Sequence, residues 1–146
     1  VLNDDLKWIT FDCAFDFGYL VSILTGDVLP YNKGIFDELL EIYFPVFWDV
    51  KHLAEEHKRS GKQAPTDSAT TLESFANAFN LSRMTGTTAS THLAAGTSHA
   101  TMQVFWRIRE QVFQGGMDSA ATGVVFGLSR FRGMAAAAAE PTAEAA

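Results

Sequence analysis

The residue whose sequence context most clearly suggests chemistry is Asp16, in the segment FDFGYL. It lies where an apolar segment ending at Phe11 gives way to a helical pattern, so it is expected at a strand-to-helix turn. A carboxylate at the open end of a strand can reach a metal ion or a substrate. An isolated Asp before an apolar helix is more often the helix N-cap, because its side chain accepts hydrogen bonds from the first backbone N–H groups. Alone, Asp16 leaves both interpretations open.

The second candidate is His92, at the end of a Thr-rich loop and shortly before a predicted long helix. A histidine there can orient or deprotonate a water molecule, although a lone histidine is more often an ordinary surface residue. Two other pairs carry weaker signals. His52 and Glu56 stand four residues apart without the HExxH pattern of a zinc site. Ser98 and His99 are adjacent, so their side chains diverge on a helix and form no nucleophile–base pair.

The charge balance limits how the protein can interact with nucleic acid. A net charge of -6 argues against binding through a broad basic surface. It is compatible with a nuclease that gathers carboxylates around divalent cations. Lys58, Arg59 and Lys62 are a candidate polynucleotide contact, with a solvated loop as the simpler explanation. The single cysteine, Cys13, fits a reducing compartment, so we expect the cytoplasm or nucleus. No apolar run reaches the roughly 18 residues that cross a bilayer, so no membrane association is expected.

Strands and helices alternate along the chain, and these elements must position the candidate residues. Segments of bulky and β-branched residues predict strands at Lys7 to Phe11 and Val46 to Val50. Such alternation predicts an α/β layer arrangement. Apolar residues at helical spacing predict helices from Asp16 to Gly26, Phe36 to Tyr43, Lys51 to Lys58, Leu72 to Phe79 and Ser98 to Phe113, with a further short helix in Ala120 to Leu128.

The length of 146 residues fits one domain with a sizeable core. We assign residues 1–132 to this domain and residues 133–146 to a tail, because the chain ends in AAAAAEPTAEAA, which has too few large apolar side chains to pack. The tail is predicted to be disordered. The chain opens on Val1 rather than an initiator methionine, so we interpret the chain as part of a longer protein.

The order of these segments resembles one known family. KWITF, FDFGYL, FDELLEIYFPVFWDVKHL, LESFANAFNLSR and then a histidine before a long FW-containing helix look like the CCR-associated (Pop-type) poly(A)-specific deadenylases. These are nuclease subunits of the CCR/NOT complex. The resemblance runs from Lys7 to Leu128, and FDELLEIYFPVFWDVKHL is its most specific part. It implies a ribonuclease H-like exonuclease fold, with the 3′ end of poly(A) RNA and CCR/NOT subunits as partners, in the cytoplasm and nucleus.

The resemblance also implies a site. Family members have a DEDD exonuclease site with two divalent metal ions, Mg²⁺ or Mn²⁺, and a histidine shortly before the fourth acid. Asp16 matches the third acid, a metal ligand, and His92 matches the histidine that handles the attacking water. Five residues beyond His92 stands Thr97, where the family has Asp, and a register shift of one residue gives Ser98. The DxE strand has no counterpart, so we expect the C-terminal portion of the fold, lacking the first strands.

Two functions are consistent with these features. The first is a metal-dependent 3′-to-5′ exoribonuclease that shortens mRNA poly(A) tails within a multi-subunit complex. This chain is then incomplete for catalysis, because one carboxylate cannot hold two cations. The alternative is a catalytically inactive homologue that acts as a scaffold or binding subunit. An intact DxE strand upstream favours the enzyme, and its loss favours the scaffold. An unrelated α/β domain with chance similarity is a third explanation.

Overall fold

The structure, a computed structural model, describes residues 5–59, 61, 65–81, 94–114, 116 and 122–128. Strands and helices alternate at the start of the chain, as the sequence predicts, and both predicted strands are present. None of the described helices is long and apolar enough to cross a membrane. In chain order the elements are β1 (Trp8–Thr10), α1 (Ala14–Thr25), α2 (Lys33–Tyr43), β2 (Phe47–Asp49), α3 (Val50–Arg59), α4 (Leu72–Ala78), α5 (Ala94–Arg107) and a π-helical turn, Ile108–Val112, that continues α5.

The two strands pair in parallel, with Thr10 of β1 opposite Asp49 of β2. Parallel neighbours need a crossover connection, and α1 and α2 supply it. The parallel arrangement places the carboxyl ends of both strands at the same edge of the sheet. The turn from β1 into α1 therefore lies beside the junction between β2 and α3, which is where a site is expected in an α/β fold.

Helices cover both faces of the sheet because successive strand residues point to opposite sides. Trp8 and Phe47 pack in a core cluster with α1 and α2, around Phe17, Val21 and Phe44. The next residue of each strand packs in a second cluster on the other face, formed by α3, α4 and α5. The result is a three-layer α/β arrangement whose apolar clusters are separated by the sheet.

The start of α1 differs from the sequence prediction. Cys13, not Asp16, occupies the N-cap position, and Asp16 is the third residue of the helix. The interpretation of Asp16 as an N-cap is therefore wrong. The turn before α1 is instead bonded to a residue distant in sequence, because the backbone N–H groups of Asp12 and Cys13 donate to the carboxylate of Asp49. The end of the helix agrees with prediction, because Gly26 follows it in the left-handed conformation, with φ 71°.

The segment 122–128 is also different from the prediction. We expected a short helix in Ala120 to Leu128, but the described residues 122–128 form turns. Gly123 and Gly127 have φ of 74° and 79°, which is incompatible with a right-handed helix. The segment instead bonds to β2, where the Gly123 N–H donates to the carbonyl of Phe47 at 3.0 Å.

The remaining predicted helices are confirmed, with small shifts of their ends. The longest one begins at Ala94 rather than Ser98, and its last turn is π-helical. The predicted loop from Met84 to Thr91 and the tail 133–146 lie outside the described residues.

Gly26→Ala tests the end of α1. No atom lies within 4 Å of a Cβ built at Gly26, so the substitution adds backbone strain without a steric clash. We expect a loss of about 1 kcal/mol in the free energy of unfolding, measured by urea denaturation of the full-length protein. Gly26→Asn is the matched control, because Asn tolerates this conformation, and it should lose clearly less. Equal losses for Ala and Asn would contradict the assigned left-handed cap.

Candidate active site

Asp16 is displayed on the first turn of α1, close after the carboxyl end of β1, and its side chain is exposed. Its location on a helix gives the carboxylate a defined direction, which a loop would not. The helix N-terminus also favours a negative charge nearby. The structure thus places an accessible carboxylate at the edge of the sheet where both strands end.

The turn that precedes α1 has an unusual backbone. Asp12 has φ 56°, a left-handed conformation that non-glycine residues adopt rarely. The ammonium of Lys51 bonds to the Asp12 carboxylate at 2.7 Å and also lies 4.3 Å from the centre of the Phe126 ring. The Asp12 carboxylate is therefore engaged by a cation from α3.

The Cys13 thiol is unreactive, although Cys13 lies only three residues before Asp16. The side chain is buried, and its Sγ lies 3.4 Å from Oδ2 of Asp49. Burial raises the pKa of the Cys13 thiol well above its usual range, and the nearby charge of Asp49 raises this pKa further. The group stays a neutral thiol near pH 7. It therefore does not act as a nucleophile, which requires the thiolate.

The second half of the predicted site is only partly described. His92 lies outside the described residues, so its predicted approach to Asp16 stays a prediction. Thr97 and Ser98 are exposed on the first turns of α5. His99 follows them, and its Nε2 lies 3.0 Å from the side-chain amide of Gln103, one turn further along the same helix. The structure therefore gives His99 a partner along its own helix.

Among the weaker candidates on α3, Glu56 and the basic residues lie on a solvated helix face, whereas His52 is half-buried. Glu56 forms an ion pair of 3.8 Å with Arg59, and both side chains are largely exposed. Lys58 donates to the backbone carbonyl of Asp67 at 3.0 Å. Such exposed pairs contribute little to stability and do not build a metal site. Lys62, the third basic residue of the candidate polynucleotide contact, lies outside the described residues.

The described residues do not by themselves fit a two-metal centre. Within the part of the chain that the structure describes, no group of three or more His, Cys, Asp or Glu side chains could hold a metal ion. Asp16 offers one carboxylate, Asp12 is paired with Lys51, and Asp49 is buried. Two cations held about 4 Å apart need several carboxylates. Further ligands have to come from residues outside the described ranges.

Sequence reasoning missed Asp49. It stands in the apolar segment VFWDV, and a charged residue in a buried strand requires hydrogen-bonding partners. That anomaly was a usable signal. What the sequence did not reveal was which backbone groups would supply the donors.

Comparison with solved structures defines the class of fold. The chain superposes on the structure of Schizosaccharomyces pombe Pop2p in its Mg²⁺- and Mn²⁺-bound form with a TM-score of 0.72 and 30% identity, covering 88% of this chain and 46% of that one. It also resembles the structure of the yeast NOT1 MIF4G domain co-crystallized with CAF1, with a TM-score of 0.69, 22% identity and coverage of 86% and 47%. The domain is therefore of the ribonuclease H-like α/β class, as predicted.

Sequence comparison then defines the family. Residues 5–126 match the profile of the CAF1 family ribonuclease, and the chain belongs to this family. It is 34% identical over 130 residues to the probable CCR4-associated factor 1 homolog 10 of Arabidopsis thaliana. It is 29% identical over 128 residues to poly(A) ribonuclease pop2 of Schizosaccharomyces pombe. The matches cover 88% of this chain but only 42% and 35% of those relatives, so the chain spans about two fifths of their length.

Asp16→Asn tests the candidate ligand. An amide keeps the shape of the side chain and removes its anionic charge, on which hard divalent cations depend. In a longer form of the protein that also carries the D-x-E strand, we expect Asp16→Asn to abolish whatever RNA hydrolysis exists. The free energy of unfolding should change by no more than about 0.5 kcal/mol, as for other exposed positions. Asp27→Asn, an exposed position just beyond the other end of α1, is the control and should leave both unchanged. Full activity of Asp16→Asn would remove Asp16 from the site.

Proposed function

We propose that this protein is a metal-dependent 3′-to-5′ exoribonuclease that shortens the poly(A) tails of mRNA. The observation that carries the proposal is membership of the CAF1 ribonuclease family, supported by the exposed carboxylate of Asp16, which the resemblance matches to the third acid. The relative named poly(A) ribonuclease pop2 supports poly(A) as the substrate. The Pop2p structure with bound Mg²⁺ and Mn²⁺ supports a divalent metal as the cofactor.

In this proposal Asp16 supplies one anionic ligand, and His92 is the group that handles the attacking water. Bound divalent cations would neutralise the charge that develops on the phosphate. No D-x-E triplet occurs in the 146 residues, so the first two acids of the site are absent from this sequence. We therefore propose that this polypeptide alone does not hydrolyse RNA.

The proposed setting is a CCR4–NOT type of assembly in the cytoplasm and nucleus. One relative is named a CCR4-associated factor, and one structural neighbour is CAF1 crystallised with the NOT1 MIF4G domain. Both support a subunit role rather than an isolated enzyme. The net charge of -6 is consistent with this role, because it leaves recognition of RNA to a metal-bearing cleft and to partner subunits.

A catalytically inactive scaffold is the second candidate, and one observation favours it. The two positions that can match the fourth acid, Thr97 and Ser98, both carry hydroxyl groups. A neutral hydroxyl is a poor substitute for a carboxylate at a divalent cation. If no other acid replaces it, the site loses one of its metals and the domain retains only its surfaces for binding.

The function is tested by a time course on RNA that ends in a 3′ oligoadenylate, with Mg²⁺ or Mn²⁺ and a longer form of the protein that also carries the D-x-E strand. The enzyme hypothesis predicts stepwise shortening from the 3′ end, faster on oligoadenylate than on oligouridylate, and complete inhibition by a chelator. Intact RNA in either metal, from a folded protein that binds CCR4–NOT subunits, would favour the scaffold.

Thr97→Asp tests the fourth position in the same assay. A restored carboxylate should lower the Mn²⁺ concentration needed for half-maximal hydrolysis and raise the rate by about tenfold, if metal binding limits the reaction. Ser98→Asp is the matched variant, because it places the same group one residue later on α5. An increase with Ser98→Asp alone would shift the register by one residue. If the wild-type protein is fully active and neither variant changes it, another residue holds that metal.

A further inference from the structure

The side chain of Asp49 is completely buried at the carboxyl end of β2. A buried carboxylate is unfavourable unless hydrogen bonds replace its lost hydration. Four backbone N–H groups and one thiol surround it. Oδ1 accepts from the N–H of Asp12 at 2.9 Å and of Lys51 at 3.1 Å, while Oδ2 accepts from the N–H of Cys13 at 3.3 Å, the Cys13 Sγ at 3.4 Å and the N–H of Phe126 at 3.0 Å.

These donors come from three segments that are far apart in sequence. Asp12 and Cys13 form the turn between β1 and α1, Lys51 begins α3, and Phe126 belongs to the segment 122–128. The same segment is bonded to β2 at a second place, where the Trp48 Nε1 donates to the Thr122 hydroxyl at 3.1 Å. One carboxylate therefore links these three segments at the edge of the sheet where the candidate active site lies.

The turn between β1 and α1 needs such support. Asp12 is left-handed, with φ 56°, and a non-glycine residue keeps this conformation only when its surroundings fix it. Cys13 occupies the N-cap position without a side-chain cap hydrogen bond. Asp49 accepts hydrogen bonds from the N–H groups of both residues, and the exposed Asp12 carboxylate accepts a hydrogen bond from the Lys51 ammonium. The turn is thus bound at its backbone and at its side chain.

The direction of α1, and with it the place of Asp16, is set by this turn. Asp16 is three residues beyond Cys13 on a continuous helix, so any movement of the turn is passed to its carboxylate. Metal ligands must be held within about 0.5 Å of their productive geometry. We propose that Asp49 is a positioning residue of the CAF1 ribonuclease site, which fixes the β1–α1 turn and so places Asp16 for metal binding. The metal-binding part of this statement rests on the proposed function.

Asp49→Asn in the full-length protein is the test, because the amide keeps the size of the side chain and replaces one acceptor oxygen by a donor. The control is Leu53→Ala, which removes a fully buried side chain of α3 in the other core cluster and lowers global stability without touching the turn's hydrogen bonds. Two quantities are measured: amide hydrogen exchange of the peptides containing residues 12–13 and 126, and the Mn²⁺ concentration for half-maximal RNA hydrolysis.

For Asp49→Asn we expect exchange at residues 12, 13 and 126 to rise at least about tenfold more than elsewhere, together with an approximately tenfold higher Mn²⁺ requirement, the scale seen when groups that support a metal ligand are removed. Leu53→Ala should raise exchange throughout the core and leave the Mn²⁺ requirement within about twofold of wild type. A maximal rate that recovers at high Mn²⁺ identifies a positioning effect.

If Asp49→Asn loses stability as Leu53→Ala does but keeps the wild-type Mn²⁺ requirement, Asp49 has a purely structural role and the proposal is overturned. If Asp49→Asn does not fold, Lys51→Met removes the outer bond to Asp12 and the contact of the ammonium with the Phe126 ring, while the backbone bonds to Asp49 remain, and should give a smaller change in the same direction. No change would also overturn the proposal. If the wild-type protein hydrolyses no RNA, the proposed function fails. Mn²⁺ binding measured by calorimetry, with the exchange data, then decides the role of Asp49.

Discussion

A single buried carboxylate needs hydrogen-bond donors in place of water, and several segments of this fold meet to supply them. Asp49 lies at the end of a parallel strand, out of contact with water, and backbone N–H groups from three segments replace its hydration. Hydrogen bonds are directional, so these bonds hold the end of β2, the turn before α1 and the segment 122–128 in fixed positions relative to one another. The apolar clusters on both faces supply most of the burial, but they are not directional in the way that these bonds are.

The same arrangement explains the chemistry available near the candidate site. Of the three acids at this edge, Asp49 is enclosed by N–H donors, Asp12 is exposed but paired with Lys51, and Asp16 is exposed. Cys13, at the N-cap position of the same helix, is kept protonated by burial. These three acids therefore differ because their surroundings differ: Asp49 is hidden from solvent, Asp12 is engaged by a lysine, and Asp16 is exposed.

Much of the fold was predictable from local patterns. Bulky and β-branched residues located the strands, apolar periodicity located most helices, and Gly26 ended α1 as expected. The failures share a cause, which is that long-range bonds override local preference. The helix was expected to start at Asp16, but α1 begins at Ala14, and the N–H of Cys13 at its N-cap position donates to Asp49, 36 residues away. The segment 122–128 forms turns because it bonds to β2 and to Asp49, 77 residues from Phe126. The pairing of Asp16 with His92 could be suggested only by family resemblance.

The measurement closest to the central claim is anomalous X-ray diffraction from crystals of the full-length protein soaked in Mn²⁺. The claim is that Asp16, on a helix whose start is fixed by Asp49, is a metal ligand of a CAF1 family ribonuclease. The account predicts an anomalous peak about 2 Å from a carboxylate oxygen of Asp16, the usual distance for a small divalent cation. Mn²⁺ bound at other carboxylates, with no peak at Asp16, would contradict it.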